Sequence, residues 1–148
     1  MIKIDEDVLV FLEKQNIVMT ATIDSKGKIN IAAKAIAKID PTGIIYVVDL
    51  YNGTTKANLK NNPNITISAV DEQAFKGWQL KGIAKEYNEK ETKEILENWD
   101  KKILKRMTDR IISNLKKNTK INFSEIHLPK PEYIIEIKVE EIVDLSGK

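Results

Sequence analysis

The stretch Ile29–Ile39 (INIAAKAIAKI) alternates residue by residue between two faces, and no other feature constrains the fold as tightly. A period of two belongs to a β-strand. Ile29, Ile31, Ala33, Ala35, Ala37 and Ile39 fall on one face, with Asn30, Ala32, Lys34, Ile36 and Lys38 on the other. Upstream, Ile17–Ile23 (IVMTATI) has strand composition, and the connection Asp24-Ser25-Lys26-Gly27-Lys28 is short enough to predict an antiparallel hairpin. Downstream, Asp40-Pro41-Thr42-Gly43 predicts a turn, because Pro presets one dihedral and Gly relieves the next. Ile44–Val48 (IIYVV), Ile65–Val70 (ITISAV), Trp78–Tyr87 (WQLKGIAKEY) and Tyr133–Val143 (YIIEIKVEEIV) read as further strands. Gly82, inside the fifth, marks a bulge or bend.

Three segments break this period. Asp5, Glu6 and Asp7 precede Val8, Leu9, Phe11 and Leu12, which predicts a short N-terminal helix to about Gln15. Thr54 or Thr55 is placed to cap a short helix over Lys56–Lys60, ended by Asn61, Asn62 and Pro63. From Glu89 to Lys117 the apolar residues Ile95, Leu96, Trp99, Ile103, Met107, Ile111 and Leu115 recur at threes and fours. That stripe predicts one long helix, or two that break near Thr108-Asp109, with Trp99 in the core. The connector 118–130 follows. The resulting expectation is a mainly β (α+β) protein: a six-stranded antiparallel barrel with an N-terminal helix, a short helix between strands 3 and 4, and a helical excursion before the last strand. With 148 residues, one domain spanning 1–148 is expected.

Composition narrows the chemistry. The chain has no Cys and one His, which argues against disulfides, thiol nucleophiles, Ser-His-Asp triads and His-rich zinc sites. No metal site is expected, and His127, in a connector, reads as a loop residue. No catalytic acid or base can be assigned. No apolar run approaches the ~20 residues of a membrane span, and the acidic N-terminus lacks the grammar of a signal peptide. These features point to a soluble cytoplasmic protein, without membrane association, whose difficult chemistry, where there is any, comes from a bound cofactor. Residues 101–120 hold eight cations against Asp109, a net +7, while the whole chain is only +2. The polar face of a helix accounts for that bias more simply than a nucleic-acid interface.

The most informative stretch is Gly43–Val70, in which a strand enters a polar loop and Thr54, Thr55 and Lys56 stand at a helix start. Two hydroxyls, an ammonium and unsatisfied helix amides together suit a phosphate. The same residues also suit a simple cap and a solvated lysine. The wider order of phrases carries more weight: Ala21-Thr22-Ile23-Asp24, Gly27-Lys28, Thr54-Thr55-Lys56, Asn62-Pro63 and Gly82-Ile83-Ala84. In that order, over about residues 17–87 with a return at 133–145, the chain resembles the FMN-binding split-barrel family, which includes pyridoxamine 5′-phosphate oxidases and small FMN-binding proteins.

The resemblance implies a homodimeric split barrel with one FMN in each of two clefts at the subunit interface. It implies that Thr54, Thr55 and Lys56 hold the FMN phosphate, with a polar contact from Asn58. The isoalloxazine edge would lie against Ala32, Ala33, Lys34 and Ala35 and against Val48, Asp49 and Leu50. Gly77, Trp78 and Gln79 would approach the ring, often from the partner subunit. Small alanines suit a flat ring near a strand backbone. Lys34 would be either a positive charge beside the flavin or an ordinary exposed strand lysine, and Trp78 either packs the barrel mouth or shields the ring. Electrons would pass between a nicotinamide or other donor and a small acceptor. The strand of Lys34 and Lys38 lacks the Arg/Lys-rich pattern of vitamin B6 oxidases, and Lys138 stands among Glu136, Glu140 and Glu141, which argues against pyridoxamine phosphate oxidation itself. Alternatives are an FMN carrier without turnover, a barrel holding haem or a deazaflavin, or a basic interaction module.

Overall fold

The computed structural model describes residues 2–15, 17–49, 53–87, 89–116 and 133–147. Leu50, Tyr51, His127 and the 118–130 connector lie outside the described residues. Six strands, β1 (Val18–Ile23), β2 (Ile29–Asp40), β3 (Ile44–Asp49), β4 (Asn64–Asp71), β5 (Lys76–Glu86) and β6 (Tyr133–Asp144), close into a barrel in the order β1-β2-β3-β6-β5-β4. Every pairing is antiparallel, including the β1–β4 seam, where Thr20 stands opposite Ile67. The expected six-stranded antiparallel barrel, with its three helices, is therefore the architecture of the chain.

Alternating inward residues fill the barrel. Ile45, Val47, Ile65, Ile67, Leu80 and Ile135 are among the most buried, each at 2% exposure or less. Helix α1 (Glu6–Glu13) closes one end by inserting Val8 and Leu12, with Ile4 just before it, into this cluster. The preceding chain is tied down by Ile4 N–H donating to the Pro41 carbonyl at 2.9 Å. The Asp40–Gly43 turn forms as expected. Asp40 Oδ1 accepts from Thr42 N–H at 3.0 Å and from its hydroxyl at 2.7 Å, and Gly43 takes a φ of 119°. Those two bonds, the backbone one foremost, hold the Asp40 carboxyl below its ordinary pKa.

The even alternation expected of β2 is broken by a bulge between Ile36 and Lys38. One extra residue reverses the parity downstream. Ile36 and Ile39 therefore both join the inner core, while Ala35 and Ala37 face outward beneath a helix. Ile29 and Ile31, grouped with Ile39 by simple alternation, are 70% and 65% exposed.

The helical excursion is one helix, α3 (Glu89–Lys116), unbroken at Thr108, whose hydroxyl donates to the Leu104 carbonyl at 2.9 Å. Ile95 and Trp99 (2% exposed) seal the outer surface of β2, β3 and β6 over Ala35, Ala37, Tyr46, Val48 and Ile134. The apolar stripe leaves the barrel after Ile103, since Leu115 is 61% exposed. Among the described residues no helix is long and apolar enough to cross a membrane.

The bulge in β5 falls between Lys81 and Gly82. There a Cβ on residue 82 would stand 2.2 Å from the Lys138 carbonyl oxygen. Gly82→Ala is expected to destabilise the protein by about 3 kcal/mol, because backbone must move. Gly53→Ala, with open space around residue 53, should cost under about 1 kcal/mol in the same urea denaturation experiment.

Candidate functional site

Strand order dictates where the third helix lies. β3 pairs with β6 whereas β4 pairs with β1, so the chain between them crosses one mouth of the barrel and does so as α2 (Thr54–Asn61). Asn58 and Thr55, both 5% exposed, face inward, and Asn58 Nδ2 donates to the buried Thr22 hydroxyl at 3.0 Å. Asn58 thus fastens the helix to β1. The helix ends where Asn62 turns, its side chain accepting from Asn64 N–H at 3.1 Å.

The N-terminus differs from expectation. Neither Thr54 nor Thr55 is the cap; both lie inside the helix, and Gly53 occupies the N-cap without any side-chain cap bond. Thr55 is drawn inward by packing and Thr54 stays exposed. The first-turn amides are therefore available to an acceptor from outside, the arrangement that favours anions.

Lys56 follows in that first turn. Its Nζ lies 3.7 Å from Glu86 Oε1 and 4.8 Å from the centre of the Tyr133 ring. These groups, with Leu59, Lys60, Ala84, Lys85 and Ile135, line a cavity of about 270 Å³ on the flank of α2. Lys85 Nζ is 3.4 Å from the buried carboxylate of Glu136. The Tyr133 hydroxyl is buried and hydrogen-bonds to the Asp49 carboxylate. Burial, then the Asp49 carboxylate and more weakly Glu86, push its pKa well above the ordinary phenol range.

Asp49 itself is fully buried and lies 2.6 Å from Lys34 Nζ. The Lys34 side chain is 8% exposed, so the alternative of an ordinary exposed strand lysine is corrected: this lysine turns into the barrel. Its charge is compensated at source. Inward-facing Thr20, whose hydroxyl donates to the Ala32 carbonyl at 3.0 Å, extends the same polar layer.

The structure gathers part of the expected set and separates the rest. Thr54, Thr55, Lys56 and Asn58 share α2, which packs on β1 and β2, while Lys34 and Asp49 pair with each other and Asp49 stands opposite Tyr133, over whose ring Lys56 lies. Ala33 faces outward and is exposed, whereas Ala35 and Val48 already touch the Ile95–Trp99 cluster. Gly77, Trp78 and Gln79 stand at the far end of β5, about 23–30 Å along the strand from Glu86 at ~3.3 Å per residue. Trp78 packs against the inner core and borders a groove beside α1, so within one chain it closes the barrel mouth. Glu86 and Tyr133 were not singled out from sequence, and Thr22 only as part of the Ala21-Thr22-Ile23-Asp24 phrase, with no role assigned. The first two reach Lys56 only through the β5–β6 pairing, in which Glu86 stands opposite Ile135.

An uncapped helix start, the Thr54 hydroxyl and the nearby Lys56 ammonium form a donor set that suits a phosphate monoester.

A closed antiparallel barrel with a polar, cation-bearing mouth defines the class, and sequence comparison specifies it. The family profile for pyridoxamine 5′-phosphate oxidase matches residues 4–145, and the chain belongs to that family. By structure it is similar to HupZ from Group A Streptococcus, with a TM-score of 0.70 at 21% identity over 97% of this chain and 95% of that one. It is also similar to a protein related to general stress protein 26 from Clostridium acetobutylicum (TM-score 0.62, 20% identity, 96% of each chain). A third likeness is to an FMN-binding protein from Syntrophomonas wolfei (TM-score 0.61, 13% identity, 90% of this chain and 79% of that one). No curated protein matches the sequence significantly.

Breaking the Lys34–Asp49 pair from one side leaves a buried carboxylate without its counter-cation. Lys34→Met is expected to lower unfolding free energy by about 3–5 kcal/mol, and the double change Lys34→Met/Asp49→Leu to recover most of it. Denaturation of the two variants measures the difference.

Proposed function

We propose that this chain is a flavin-binding protein that holds FMN non-covalently, one at each of two clefts of a homodimer, and serves as an oxidoreductase toward small molecules. The observation that carries the reading is the α2 start: an uncapped helix N-terminus with Thr54 exposed in its first turn, and the Lys56 ammonium on the adjoining flank beside Glu86. Family membership and the likeness to an FMN-binding protein support it. Lys56 neutralises the phosphate, Thr54 and the first-turn amides donate to it, and β2 at Ala32–Ala33 offers backbone groups to the edge of the ring. Val48 and Asp49 lie at the end of the neighbouring strand. The bound flavin supplies the hydride or electron transfer between a nicotinamide or other donor and the acceptor. Lys34, neutralised by Asp49, acts on the flavin environment as a dipole rather than as a lone cation.

Two features support the dimer. If Gly77, Trp78 and Gln79 contact the ring, their distance along β5 from the Lys56 corner requires that they come from a second copy. The outer face of β2, β1 and β4 also exposes Ile31, Ile29, Met19 and Val70 at 42–70%. The register places Ile31 beside Ala21, and Ala33 beside Met19, as one surface. Exposed aliphatic residues on adjoining strands suit burial against a partner.

The direct test is titration with FMN and riboflavin, followed by flavin fluorescence. Lys56→Ala should weaken FMN by about tenfold or more and leave riboflavin within about twofold, because only FMN carries the phosphate. Absence of flavin binding by the unaltered protein, or equal losses for both ligands, would refute the reading. Ile31→Glu should raise the dimer dissociation constant by at least about tenfold in sedimentation and weaken FMN with it, since a carboxylate would be desolvated at the interface.

A further inference from the structure

Lys56 is the cation of the α2 first turn, yet its ammonium does not rest over the helix start. It lies on the helix flank, between the Glu86 carboxylate at 3.7 Å and the Tyr133 ring at 4.8 Å. We propose that Glu86 is a specificity-determining residue, which holds Lys56 away from the α2 N-terminus so that a phosphate-bearing ligand must displace a carboxylate to recruit it. This inference rests on the flavin reading and names a residue that limits it.

The geometry separates two contributions to anion binding that such corners usually combine. The amides of the first turn are fixed by the backbone and need no rearrangement. The ammonium is engaged, and only 27% of its side chain is exposed, so Glu86 and the ring compete with any external anion. Other charges in the cavity do not relieve this competition: Lys85 is occupied by Glu136 at 3.4 Å, and Lys60 lies in the last turn of α2, away from its start. The field of Glu86 reaches across the cavity, where it contributes to the raised phenol pKa of Tyr133. The ring, in contrast, offers Lys56 a contact without a net charge and has no repulsion for phosphate. Glu86 is therefore the element that favours an unphosphorylated ligand over a phosphorylated one, and its removal should raise discrimination in favour of phosphate.

The experiment is a double-mutant cycle on the full chain: FMN and riboflavin are titrated into the unaltered protein, Glu86→Gln, Lys56→Ala and the double variant. Glu86→Gln is expected to tighten FMN by about three- to tenfold and to leave riboflavin within about twofold. The gain should vanish in the Lys56→Ala background. Inorganic phosphate should compete with FMN at lower concentration in Glu86→Gln than in the unaltered protein. Glu86 is more than half exposed, so thermal melts of Glu86→Gln and Glu86→Ala should match the unaltered protein and establish that folding is intact. An FMN affinity that stays the same or falls in both Glu86 variants overturns the inference while tight FMN binding by the unaltered protein leaves the flavin reading standing. A gain that survives in the Lys56→Ala background overturns it too, since Glu86 would then act by general repulsion. Failure of every form to bind flavin removes both.

Discussion

Closure of the barrel through the β1–β4 seam is the constraint on which the site depends. Because β4 joins β1 and not β3, the chain leaving Asp49 must traverse a barrel mouth before Asn64 can start the next strand. A helix satisfies its own backbone while making that crossing, which a loop could not do against a buried surface. The crossing sets the consequences in order. Asn58 must meet a polar partner inside, and Thr22 is that partner at 3.0 Å. Once Asn58 is fixed, the helical period turns Thr55 inward and leaves Thr54 and the first-turn amides at the rim.

The two ends of the barrel are consequently unlike. At one end α1 inserts Val8 and Leu12 into apolar surroundings, and burial of that kind is stabilising and undemanding of geometry. At the other, the buried groups are Thr20, Thr22, Asp49 and the Lys34 side chain, each of which needs a partner. A buried ion pair such as Lys34–Asp49 returns little net stability relative to apolar replacements. It does impose direction, because the two side chains must approach at one place on β2 and β3. An end organised by such pairs is suited to holding a polar ligand in one orientation, while the apolar end carries more of the folding free energy.

Much of the architecture was legible in local patterns. The Asp40–Gly43 turn, the strand at Ile65 and the helical period around Trp99 follow from dihedral preferences and spacing, which act over a few residues. What local pattern could not carry was parity and partnership. The bulge after Ile36 adds one residue and reverses every later side chain of β2, yet INIAAKAIAKI contains no Gly or Pro to announce it. Lys34 reads as a surface lysine until Asp49, fifteen residues on, is brought beneath it by the β2–β3 hairpin. Gly53 displaced the threonines as the helix cap because Thr55 gains more from burial than from bonding an amide that solvent or an anion can satisfy.

The candidate site shows the same division in a sharper form. Thr54, Thr55, Lys56 and Asn58 are close in sequence, so the donors of the corner were visible as a motif. Glu86 and Tyr133, which decide where the ammonium rests, arrive from β5 and β6 and lie at least thirty residues from Lys56. A short motif therefore reports which groups can bind a phosphate, while the competitors for those groups are set by strand pairing. Affinity is the difference between the two.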